Sequence, residues 1–93
     1  MMMQPEGSLG ELLGKQVVLD TAGPVVYIGL LERIESDCYW LSDADVHNQH
    51  EGYAPKELYV LEVKLHGVRA NRKRVAVMRS EVISLSLLDD VVG

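Results

Sequence analysis

The chain has a single cysteine, Cys38. A disulfide framework is therefore excluded, and nothing points to an oxidising compartment. No apolar run approaches the ~20 residues that span a bilayer, so no membrane role is expected. The start, Met1 to Gly10, has no basic stretch followed by an apolar one. A secretion leader is not expected, and cytoplasm is the expected location. Internal repeats and low-complexity segments are absent. Basic residues are scarce through most of the chain. Residues 1–63 hold three Lys or Arg against eleven Asp or Glu, and the net charge is −5. That balance by itself argues against nucleic acid.

Several kinds of site are missing too. Gly7, Gly10 and Gly14 lack the Lys followed by Ser or Thr of a phosphate loop. His47 and His50 are spaced like half a metal site, beside Asp43, Asp45 and Glu51. A zinc cage needs three or four fixed ligands, and the cysteine is remote. Two loop histidines in solvent are the simpler reading, and no metal or cofactor is expected. His66 sits near a helix end, where the helix dipole favours it. Cys38 lies beside Glu35 and Asp37, whose charges raise a thiol's pKa, the wrong direction for a nucleophile. No histidine partner is implied. The sequence points to a non-enzymatic protein.

What is present is short and β-rich. Residues 15–45 form three apolar runs separated by turn residues, dominated by β-branched and aromatic side chains. Strands are expected at 16–20, 25–34 and 38–43, with turns at 21–24 and 35–37. Gly29 falls mid-strand, where glycine marks a bend or bulge. Tyr39 and Leu41 alternate with Trp40 and Ser42, so Trp40 faces the other side, toward a helical region or a neighbouring copy. Two more strands are expected at 75–79 and 82–88. Before them all, residues 1–7 are expected to be flexible, and 8–14 to wind into one or two helical turns. Ser8 and Glu11 have capping-box spacing there, and Gly14 ends the turn. With 93 residues, the chain is read as one domain with a small core, which oligomerisation would protect.

Residues 45–55 read as a polar loop. The run 56–66 follows two periods at once. Tyr59, Leu61, Val63 and Leu65 alternate as in a strand. Leu58, Leu61, Leu65 and Val68 form a helical stripe. Pro55 and Gly67 fit a helix start and end, so a helix is preferred, with Leu58, Leu61 and Leu65 buried near Trp40. If the alternation holds instead, Tyr59 and Val63 are the buried set. Basic residues then concentrate. Residues 64–79 carry Lys64, Arg69, Arg72, Lys73, Arg74 and Arg79 without a carboxylate. Such a patch binds an anion locally, or is a solvated face.

The pattern resembles the Sm-like (LSm) family. Gly14-Lys15-x-Val17 opens strand one, Gly29-x-Leu31 marks the bend, and Leu41-Ser42-Asp43-Ala44 ends strand three. Met78-Arg79-Ser80 stands where the family has a hydrophobic-Arg-Gly turn. The resemblance covers 8–45 and 75–88. It implies an all-β barrel: a short N-terminal helix, then a strongly bent five-stranded antiparallel sheet. Here a helix would be inserted at about 46–74 within a domain of 8–93. It implies a homo-oligomeric ring whose subunits pair through strands four and five. It also implies single-stranded RNA as partner, with Arg79 matching the family's arginine and Glu35 near its aspartate. The family's asparagine has no match, since Asp37 or Cys38 lies there, and Ser80 replaces the glycine. Asp37 offers a base only acceptors. The candidate RNA residues are thus Arg79, Glu35 and Asp37, with Arg72, Lys73 and Arg74 on the backbone and Tyr39, Trp40 and Tyr53 as stacking groups. The alternative is a scaffold or protein-interaction module that has lost RNA, with a protein partner on the 46–74 region.

Overall fold

The computed structural model describes residues 9–52 and 54–93. The flexible segment expected at 1–7, the Ser8 half of the capping pair and Tyr53 as a stacking group lie outside them. Leu9 to Lys15 wind through turns, with Leu12 N–H donating to Leu9 O at 2.9 Å. Gly14 takes the left-handed conformation (φ 81) expected of it, and its N–H donates to Leu31 O at 2.8 Å. The described part of the expected N-terminal helix is therefore little more than a turn.

The strands are β1 (Gln16–Thr21), β2 (Val25–Ile34), β3 (Cys38–Asn48), β4 (Arg72–Met78) and β5 (Val82–Leu87); α1 (Lys56–His66) lies between β3 and β4. They form one antiparallel sheet in the order β4-β3-β2-β1-β5. The expected barrel is thus an open sheet within one chain, and β4 and β5 are its two edges.

The sheet is covered on both faces. Side chains alternate along a strand, and β1 shows it directly. Val17 and Leu19 join Leu31, Tyr39, Leu41, Ala44 and Val77 in one core. Val18 joins Val26, Ile28, Val63 and Leu88 in a second core on the other face. At the bend, Asp43 and Ala44 of β3 stand opposite the single residue Gly29 of β2. Asp43 has φ 47, which shifts the alternation and returns Ala44 to the core of Leu41. A Cβ on Gly29 would lie 3.0 Å from Ala44 Cα. The glycine is needed because the two backbones touch there.

Three expectations change. First, β3 runs to Asn48, past the predicted 43. Its polar end stays in the sheet because Asp45 and His47 pair with Ile28 and Val26 of β2. Second, β4 starts at Arg72 and not at the predicted 75, so Arg72, Lys73 and Arg74 are part of the strand. Third, α1 has the predicted span but buries another face. Leu58 is 47% exposed and Leu65 64%, whereas Val63 is buried and Tyr59 and Val60 pack beside it. Polar anchors decide the face. Lys56 Nζ donates to Asp20 Oδ1 and Thr21 O, both at 2.8 Å. The Tyr59 hydroxyl donates to Asp45. Both anchors share a side with Val60 and Val63. Trp40 is not near the helix: its Nε1 donates to Glu35 at 3.2 Å.

Candidate nucleic-acid interface

The β2–β3 turn and the turn after β4 meet at one place. Glu35 N–H donates to Cys38 O at 2.9 Å and closes the first turn. Arg79 opens a single 3-10 turn, Arg79–Glu81, that links β4 to β5. Its backbone N–H donates to Asp37 O at 2.9 Å. Its Nη1 donates to Glu35 O, also at 2.9 Å. The guanidinium carbon lies 5.2 Å from the Tyr39 ring centroid, within cation–π range. Glu35 and Asp37 therefore hold Arg79 through their carbonyl oxygens and not through their carboxylates.

The Glu35 carboxylate is engaged elsewhere. It meets Arg33 Nε at 3.0 Å and accepts from Trp40 Nε1 at 3.2 Å and from Cys38 Sγ at 3.6 Å. Burial, then the Glu35 bond and the Asp37 charge, push the Cys38 thiol up from its ordinary value. Ligand atoms of Glu35, Asp37 and Cys38 lie within 4.8 Å of one another. The Glu35 carboxylate of that group is already bonded to Arg33, Trp40 and Cys38. His47 is occupied too: its ring stacks on Tyr59 at 3.8 Å, and its Nε2 faces Ala54 O at 3.2 Å.

The basic tract is only partly joined to this place. Arg74 lies 4.6 Å from the Trp40 ring centroid and pairs with Glu32 at 3.0 Å. Through Trp40 it reaches Glu35. Arg72 Nη1 donates to Asn71 O at 2.9 Å, and Lys73 is exposed. At about 3.3 Å per residue of strand, both sit roughly 20 Å from Arg79. The structure brings Arg79, Glu35, Asp37 and Tyr39 together and leaves Arg72 and Lys73 apart.

A polar cluster that the sequence did not suggest lies under α1. Asp45, 4% exposed, accepts from Tyr59 and, at 3.4 Å, from Asn71 Nδ2. The Asn71 amide also accepts from Val46 N and donates to Val46 O, each at 3.1 Å. Burial and then the Asp45 bond push the Tyr59 hydroxyl well above its ordinary value. A cleft of about 470 Å³ opens beside it, lined by Asp45, Tyr59, Glu62, Val63, His66, Gly67 and Arg69. The only signal was Asp45 in a polar stretch, and a loop explained that equally well.

No family model and no curated protein sequence matches the chain. Solved structures do. An Sm protein of Pyrococcus abyssii, solved with a uridine heptamer, aligns over 90% of this chain and 97% of its own, with TM-score 0.62 and 15% identity. The fold is that of the Sm-like proteins. An Sm-like protein of Archaeoglobus fulgidus aligns over 94% and 97%, with TM-score 0.60 and 15% identity. A chain of the NatC complex bound to CoA aligns over 94% and 88%, with TM-score 0.58 and 14% identity. These alignments cover nine-tenths or more of this chain. Among the described residues no helix is long and apolar enough to cross a membrane.

Proposed function

We propose that this chain is a non-enzymatic, ring-forming Sm-like subunit that holds single-stranded RNA at the Arg79 turn. Copies join β4 to β5, so that each open edge is covered by the next subunit. The observation that carries the RNA reading is the setting of Arg79. Carbonyl oxygens of Glu35 and Asp37 fix the residue without neutralising it, and Tyr39 offers a ring beside it. A guanidinium so held can fork onto a base or lie flat against it. The likeness to a protein solved with a uridine heptamer supports the same reading. Arg74 and the more distant Arg72 and Lys73 act on the phosphate backbone.

The test is a titration with uridine-, adenine- and cytosine-only oligonucleotides at two salt concentrations. Weak, uridine-preferring binding is expected, falling as salt rises. Arg79→Ala should weaken it about tenfold, or ~1.4 kcal/mol, and remove the base preference. No binding at low salt by an intact oligomer rejects the reading. Binding that Arg79→Ala leaves unchanged moves the site to the basic tract. A second reading, an oligomeric scaffold without RNA, is favoured by the exposed carboxylates of Glu35 and Asp37 beside the arginine.

A further inference from the structure

The polar cluster under α1 is short of donors. Asp45 is 4% exposed. One of its oxygens accepts from the Tyr59 hydroxyl. The other has only the Asn71 amide, at 3.4 Å. Among the described residues Asp45 takes part in no ion pair. A buried carboxylate is ordinarily matched by a cation or by several good hydrogen bonds. Asp45 also lines the cleft of about 470 Å³, a volume in the range of small-molecule sites. A group that completes it can therefore enter from outside the chain.

The charges of this cleft are separated by depth. Helix α1 ends on it, with the C-cap Gly67 in its wall. The carbonyls of a last helical turn carry partial negative charge. Glu62 adds an exposed carboxylate. His66 Nε2 lies 3.6 Å from it, too far for a hydrogen bond. The opposing charge is Arg69, which is exposed and belongs to no ion pair among the described residues. The anion is thus buried, and the cation stands at the mouth. A charge in the drier interior acts more strongly than one in water. A single metal ion does not suit this spread. Among the described residues, ligand atoms of Asp45, Glu62 and His66 do not gather as those of Glu35, Asp37 and Cys38 do.

We propose that this cleft binds a small free organic cation, an alkylguanidinium or alkylammonium ion, with its charged head on Asp45. The head supplies the charge-assisted hydrogen bonds that Asp45 lacks. Glu62 and the end of α1 attract it, and Val63 gives its apolar stem a wall. Arg69 opposes it and so limits the affinity. The site does not depend on RNA. The Arg79 turn meets the start of β3, whereas Asp45 stands near its other end.

The probes are butylguanidinium and butylurea, which share a shape and differ in charge. Each is titrated into the full isotope-labelled chain, and the backbone amide signals of Gly67 and Arg69 are followed by nuclear magnetic resonance. Butylguanidinium should give saturable shifts and bind roughly tenfold or more above butylurea, the neutral analogue. Asp45→Asn should weaken it by about tenfold or more. Glu62→Gln should weaken it about threefold, and Arg69→Ala should strengthen it about threefold, as removal of an exposed charge does. A gain on losing Arg69 is an effect that damaged packing would not give, so these two variants decide the matter even if Asp45→Asn folds poorly. A Gly-Arg-Gly peptide should bind less tightly than butylguanidinium. No saturable shift, equal binding of butylurea, a folded Asp45→Asn that binds like the parent, or weaker binding by Arg69→Ala overturns the proposal. So do the same shifts produced by magnesium ion, and so does tighter binding of the peptide, which makes a protein side chain the occupant.

Discussion

Tyr59 ties α1 to β3. Its ring stacks on His47 and its hydroxyl satisfies the buried Asp45 carboxylate. Replacing it with Phe leaves Asp45 with only the longer Asn71 contact. Tyr59→Phe should cost about 1–3 kcal/mol, the usual penalty for an orphaned buried acceptor, measured by urea denaturation at pH 7. The pH dependence has a definite sign. Burial and Asp45 raise the folded pKa of Tyr59 above the ~10 of an unfolded chain. The folded state then holds the proton more tightly. This contribution is fully present below about pH 10 and is lost as pH rises past that value. Denaturation at pH 8, 10 and 11 should show a smaller alkaline loss in Tyr59→Phe than in the parent. None of this was legible in the sequence. Asp45 and Asn71 are polar residues in turn-like surroundings, and the main partner of Asp45 is a tyrosine on a helix fourteen residues away. Arg79 was singled out by the family resemblance and expected as the last residue of strand four at 75–79, whereas β4 ends at Met78 and Arg79 opens the turn.

Among the elements, α1 shows what periodicity can and cannot decide. Pro55, Gly67 and the apolar spacing located it, and its span is as expected. Its inner face was not legible, since two sets of residues follow the same period. The choice fell to Lys56 and Tyr59, whose partners Asp20 and Asp45 lie on other strands. The difference is measurable. Val63→Ala should destabilise by roughly 1–3 kcal/mol, being fully buried. Leu65→Ala should change stability by less than about 0.5 kcal/mol, as exposed substitutions do. Equal costs in chemical denaturation would mean that the helix packs by its leucine face after all. The bend in β2 was read more fully, because Gly29 inside an otherwise β-branched run leaves few alternatives to a bulge.

For the whole molecule, the open edges set the main expectation. Met78 at the end of β4 is 45% exposed, and Ile83 on β5 64%. Paired to a neighbour, both would leave water. Light scattering should therefore give a mass several times that of the monomer, and Ile83→Glu should lower it. A monomer at micromolar concentration for the parent chain would reject assembly through these edges. The sheet order was legible as far as the edges, since a small core with five short strands must protect two of them. The number of copies was not, because the angle between neighbours depends on contacts that a single chain does not contain. The turn Arg79–Glu81 adds a mechanical constraint. It is the whole of the connection between β4 and β5, so the strands offered to two different neighbours are tethered by three residues, and Arg79 is one of them. In a closed ring each seam would pull on that tether from both ends. Grip on a ligand and grip between subunits would then be inseparable: an insertion that slackens the turn would loosen both at once, and a ligand clasped by Arg79 would tighten the ring that presents it.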